Sequence, residues 1–66
     1  MKNNVQPHRK SKGITQAQLA ERVGVSRQSI VAIETGKYVP STLLALKIAR
    51  ELDAGIPALF ELEPGD

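Results

Sequence analysis

No cysteine occurs among the 66 residues, and histidine occurs once, at His8. The first absence excludes disulfides, on which chains this short often rely. The second excludes a structural zinc site, which takes about four ligands, so no metal or other cofactor is expected. Helical packing or association of subunits must supply the stability instead. Apolar runs are short as well. "LLAL" is far below the roughly 20 residues that cross a bilayer, and no apolar run follows the first lysine to form a signal peptide. The groundwork of catalysis is missing too. No nucleophile stands in a recognisable elbow, no glycine-rich phosphate loop precedes a helix, and the carboxylates of the tail lack a histidine partner. The expectation is a non-enzyme with no small-molecule ligand and no membrane.

What is present is unevenly spread. The formal net charge is only +2. Residues 1–40 hold Lys2, Arg9, Lys10, Lys12, Arg22, Arg27 and Lys37 against Glu21 and Glu34, a balance of +5. Residues 41–66 hold Lys47 and Arg50 against Glu51, Asp53, Glu61, Glu63 and Asp66, a balance of −3. A basic front with an acidic tail suggests that the front meets a polyanion.

Local signals divide the chain into four to five short helices. With Asn4 as N-cap, Pro7 falls in a first turn, where its missing N–H costs nothing, and Val5 and His8 point inward. Gly13 ends that segment. "TQAQ" opens a second helix as a capping box, Thr15 with Gln18 three residues on, and Leu19, Ala20 and Val23 recur up to Gly24. Ser26 caps a third helix that Gly36 closes from the C′ position. Ser41 caps a fourth, in which Leu43, Leu46, Ala49 and Leu52 read as one apolar stripe. "GIPALFEL" makes a short fifth helix, with Pro57 in its first turn. Phe60–Glu63 and the first four residues are the two places where a small strand pair fits. The expected architecture is an all-α, compact four- to five-helix bundle in one domain, residues 1–66.

Residues 16–35 carry the functional signal. Leu19, Val23, Val25, Ile30 and Ile33 join two helices at a fixed angle, Ala20 lets them cross closely, and Gly24 permits a sharp bend. Two helices about a short turn that contains a glycine form a helix-turn-helix. With Ile30 and Ile33 facing the core, the third helix turns Gln28, Ala32 and Thr35 the other way, with Val31 and Arg27 on its flanks. That face suits a DNA groove floor. Gln28 matches adenine N6 and N7, Arg27 matches guanine O6 and N7 or a phosphate, and Val31 and Ala32 match thymine methyls.

The stretch "ITQAQLAERVGVSRQSIVAIETGKYVPS" resembles the phage-repressor and Cro type of helix-turn-helix regulator, the xenobiotic-response-element family, over about residues 5–60. Its length and its ending, "ALFELEPGD", are most similar to the short cytolysin-repressor-like members. The resemblance implies that Ser26–Thr35 is the recognition helix, lying in the major groove, and that Gln16 contacts the DNA backbone. Ser26, Ser29, Lys37, Tyr38 and Ser41 are the other candidate backbone contacts. Glu34 lies only about 40° around the helix from Ile30, where an unpaired carboxylate is costly. The resemblance supplies Arg9 as its ion-pair partner. Two features depart from the family pattern: His8 and Pro7 in the first helix, and Asp53 where a glycine commonly follows the fourth.

The function these features imply is sequence-specific binding of double-stranded DNA by a transcriptional regulator. A repressor that binds a palindromic operator as a homodimer leads. Ile56, Leu59, Phe60 and Leu62 are its candidate interface. An antitoxin or a restriction–modification controller is the alternative within DNA binding, and a protein–protein adaptor bundle is the alternative outside it. A DNA regulator without cysteine fits a reducing cytoplasm, here nucleoid-associated and of bacterial or phage origin.

Overall fold

The computed structural model describes residues 1–66, and three of its five helices start where hydroxyl side chains satisfy their free N–H groups. Helix α1 is Val5–Ser11, α2 Gln16–Val23, α3 Arg27–Glu34, α4 Thr42–Leu52 and α5 Ile56–Leu59. Ahead of α2 the capping box is complete: Thr15 Oγ1 accepts from the Gln18 N–H at 3.0 Å, and Gln18 Oε1 accepts from the Thr15 N–H at 2.9 Å. Ser26 caps α3 through the Ser29 N–H, and Ser41 caps α4 through the Leu44 N–H, each at 3.2 Å. Gly24 and Gly36 end α2 and α3 in the left-handed conformation, both at φ 78°. That backbone lets the Val25 N–H reach the Ala20 carbonyl and the Lys37 N–H reach the Ala32 carbonyl, which closes both helix ends. Asp53 takes the same left-handed role after α4, at φ 51°.

The start of α1 departs from the expected cap. Asn4 is at the N-cap position, but its side chain makes no capping bond and donates instead to the Ala58 carbonyl at 3.2 Å. Asn3 Oδ1 accepts from the Val5 N–H, and the Asn4 N–H donates to the Leu59 carbonyl at 2.7 Å. These bonds fasten the front of the chain to its end. Beside them β1 (Lys2–Asn3) pairs antiparallel with β2 (Phe60–Glu61), Lys2 opposite Glu61 and Asn3 opposite Phe60.

One apolar cluster holds the helices together. It comprises Val5, Ile14, Leu19, Ala20, Val23, Ile30, Ile33, Leu44, Ile48, Ala49, Leu52 and Leu59, with Val25, Ala54, Ile56 and Phe60 packed at its edge. Three expectations need correction here. In α4 the buried stripe is Leu44, Ile48, Ala49 and Leu52, whereas Leu43 and Leu46 are exposed. Apolar residues occupy both sides of α4, and the packing of α2 against it selects the phase. In α1 the inward pair is Val5 and Arg9, spaced four apart, and His8 is half-buried with Nδ1 2.9 Å from the Asn4 carbonyl oxygen. Leu59 is fully buried, so it belongs to the core and is removed from the candidate dimer interface.

Candidate nucleic-acid interface

The outer side of α3 is open. Arg27, Gln28 and Thr35 are exposed, while Ser29, Val31 and Ala32 are half-buried. The Thr35 hydroxyl donates back to the Val31 carbonyl at 2.9 Å, which leaves it only lone pairs to offer a base. After Gly36 the chain stays close to the helix end: the Lys37 and Tyr38 N–H groups both donate to the Ala32 carbonyl, at 2.9 and 3.2 Å. Lys37 and Tyr38 are thereby held beside the last turn of α3, both exposed.

The remaining candidate backbone contacts have structural duties as well. Ser26 and Ser41 are exposed but use their hydroxyls as helix caps, and Ser29 Oγ lies 3.1 Å from Ser26 Oγ. Tyr38 and Ser41 share a shallow hollow with Val25, Leu43 and Lys47. Lys47 is a cation on this edge that the sequence did not single out, because α4 reads as a core helix. Ion pairs engage Arg9, Lys12 and Arg50, and no carboxylate holds Lys10, Arg22, Arg27, Lys37 or Lys47. Free cations of this kind are what a phosphate backbone attracts.

Behind the open face lies a polar cluster. Arg9 Nε donates to Glu34 Oε2 at 2.7 Å and Arg9 Nη2 donates to Glu34 Oε1 at 3.2 Å, a two-pronged pair. Their side chains are 8% and 3% exposed, which takes the pair almost wholly out of water. Arg9 Nη1 also donates to the Ile14 carbonyl at 2.8 Å. Gln16, half-buried at the first position of α2, donates through Nε2 to Glu34 Oε1 at 3.1 Å, and its Oε1 accepts from Arg27 Nη2 at 3.2 Å. Asn3 Nδ2 donates to the Ile33 carbonyl at 2.7 Å. Every buried side-chain polar atom has a partner.

The interface candidates in the tail are separate from this face. Ile56 and Phe60 are half-buried and Leu62 is 82% exposed. Ile56 and Phe60 line an apolar hollow of about 220 Å³ together with Met1, Val39, Pro40 and Leu46, and no residue of α3 takes part in it. No helix is long and apolar enough to cross a membrane.

Residues 8–59 match the helix-turn-helix family. The chain is 56% identical over 52 residues to an uncharacterized HTH-type transcriptional regulator of Methanothermobacter thermautotrophicus, covering 79% of this chain and 75% of that one. It is similar in structure to the restriction-modification controller protein C.AhdI from Aeromonas hydrophila, at TM-score 0.78 and 32% identity over 85% of each chain. It is also similar to the clp gene regulator ClgR from Corynebacterium glutamicum, at TM-score 0.75 and 29% identity, covering 79% of this chain but only 55% of the length of that one. The capped helix pair across Gly24, its open second helix and these likenesses agree: the chain belongs to the helix-turn-helix family of the Cro/C1 type, whose members are DNA-binding transcriptional regulators.

Proposed function

We propose that the protein is a sequence-specific repressor that binds a palindromic operator as a homodimer, with residues 1–66 as one DNA-binding unit. The observation that carries this reading is the open side of α3, where Arg27 and Gln28 are exposed at its first turn while Ile30 and Ile33 fill the core behind them. Gln28 pairs with adenine, Arg27 with guanine, and Val31 and Ala32 meet thymine methyl groups. Gln16, Ser26, Ser29, Lys37, Tyr38 and Ser41 hold the backbone on either side. One such unit reads few base pairs, so two copies related by a two-fold axis bind half-sites about 34 Å apart or a multiple of it. Ile56, Phe60 and Leu62 are apolar, accessible and away from α3, which supports them as the faces that join the two copies. The protein acts where the genome is, in the cytoplasm at the nucleoid.

The likeness to a restriction-modification controller favours a second reading, control of such an operon, and an antitoxin uses the same DNA chemistry. Selection of duplexes from a random pool tests the common core of these readings. A two-fold symmetric consensus is expected. Failure to enrich any sequence, with no salt-dependent retention on duplex DNA, would replace the reading with a protein–protein adaptor.

A further inference from the structure

Glu34 does more than neutralise Arg9. Its Oε1 accepts from both Arg9 Nη2 and Gln16 Nε2, and Gln16 Oε1 accepts from Arg27 Nη2. A single amide thus links a carboxylate that is 3% exposed to an arginine on the open face of α3. The direction of the link is fixed by chemistry. A carboxylate only accepts and a guanidinium only donates, so the amide between them has one favourable orientation, nitrogen towards Glu34 and oxygen towards Arg27. We infer that Glu34 is a positioning residue for sequence reading: through Gln16 it sets where the Arg27 guanidinium stands before DNA arrives. The inference rests on the proposed role of Arg27 as a base reader. In this arrangement Gln16 keeps a second N–H for a phosphate, and Arg27 keeps its other donors for guanine O6 and N7. A long side chain ordered in advance loses less freedom on binding, an advantage of roughly three- to tenfold in affinity.

Glu34→Gln tests this, because an amide at position 34 presents either atom to Gln16 and no longer dictates its orientation. In the free protein, NMR of arginine Nε–Hε groups is expected to show Arg27 distinct from exposed Arg22, and to move Arg27 towards Arg22 in Glu34→Gln. Gln16→Ala spares the Arg9–Glu34 pair and must release the same signal, which keeps the test valid if Glu34→Gln folds poorly. On the selected duplex, Glu34→Gln is expected to lower preference roughly three- to tenfold at the one base whose preference Arg27→Ala removes. In the Arg27→Ala background it should do nothing further at that base. An Arg27 signal indifferent to both variants overturns the relay. So does a Glu34→Gln effect that is equal for all sequences, or one that adds fully to Arg27→Ala. An Arg27→Ala variant that shifts no base preference overturns instead the assignment of Arg27 as a reader.

Discussion

Replacing Arg9 by methionine should strongly destabilise the protein. Methionine keeps much of the apolar stem but removes the guanidinium. The loss strips Glu34 of two donors, at 2.7 and 3.2 Å, and leaves only Gln16 Nε2 facing a carboxylate that is 3% exposed. It also strips the Ile14 carbonyl of its 2.8 Å donor from Arg9. Breaking a buried pair by removing one partner costs about 3–5 kcal/mol. A 66-residue chain has a total stability of only about 3–10 kcal/mol, so the variant should sit near its unfolding threshold. Urea unfolding followed by far-UV circular dichroism measures the loss, and thermal unfolding should show a fall in Tm on the order of 15 °C or more. The double variant Arg9→Met with Glu34→Leu removes both charges and should recover most of the loss, because an apolar pair avoids the desolvation that the ions incur. A single-variant loss below about 0.5 kcal/mol would place the pair in water and refute the reasoning. So would a double variant no more stable than the single.

Asp53 adopts the left-handed conformation at φ 51°, so Asp53→Gly should raise stability by up to about 1 kcal/mol; a lower Tm would show that its weak 3.8 Å contact with Lys12 outweighs the backbone. At Gly24 an added Cβ meets nothing within 4 Å, so Gly24→Ala should cost only the backbone strain of about 1–2 kcal/mol; a larger loss by urea unfolding would reveal a contact the fold does not display. Gln28→Ala should relax preference at one base position, while Lys37→Ala should weaken all sequences about equally and reduce the salt slope by about one; identical binding profiles would merge reader and clamp. The Asp66 carboxyl is held below its ordinary range, first by the Glu63 N–H and then by the Met1 ammonium, which Asp66 and Glu63 in turn hold above its own. Asp66 therefore contributes above about pH 4 and loses its contribution as pH falls through its lowered folded pKa. The ammonium contributes below about pH 8 and loses its contribution as pH rises through its raised folded pKa. Amide exchange at Lys2, Asn3, Phe60 and Glu61 should accordingly be slowest between those limits relative to the intrinsic rate; a flat protection profile would show that the terminal contact does not steady the strand pair.

Much of this architecture is legible in the sequence because its signals are local. Thr15 with Gln18, Ser26 and Ser41 each cap within three residues, and Gly24 and Gly36 end helices by their own backbone freedom. The inward angle of Glu34 is likewise set by Ile30, four residues away. What escapes is either degenerate or distant. In α4, Leu43 and Leu46 compete with Leu44 and Ile48 for the same core, and only the packing of α2 decides between them. Spacing within α1 misplaces His8 as an inward residue, whereas the Arg9–Glu34 pair that the family resemblance implies is present, its partners 25 residues apart. Asn3 and Asn4 spend their side chains on carbonyls 30 and 54 residues distant, which no spacing rule anticipates. The links from Gln16 to Glu34 and Arg27 are of the same kind. Val31 and Ala32 are half-buried rather than fully outward, which helical angles alone do not foretell.

Sequence reading requires the outer side of α3 to enter a duplex. Titration of labelled protein with its selected duplex, followed by NMR shift mapping, tests that most directly. The largest changes are expected at Arg27, Gln28, Val31 and Ala32, with smaller ones at Gln16, Lys37 and Ser41, and little change at Leu19 or Leu52. Changes concentrated instead at Leu46, Ile56 and Phe60, with α3 silent, would contradict it.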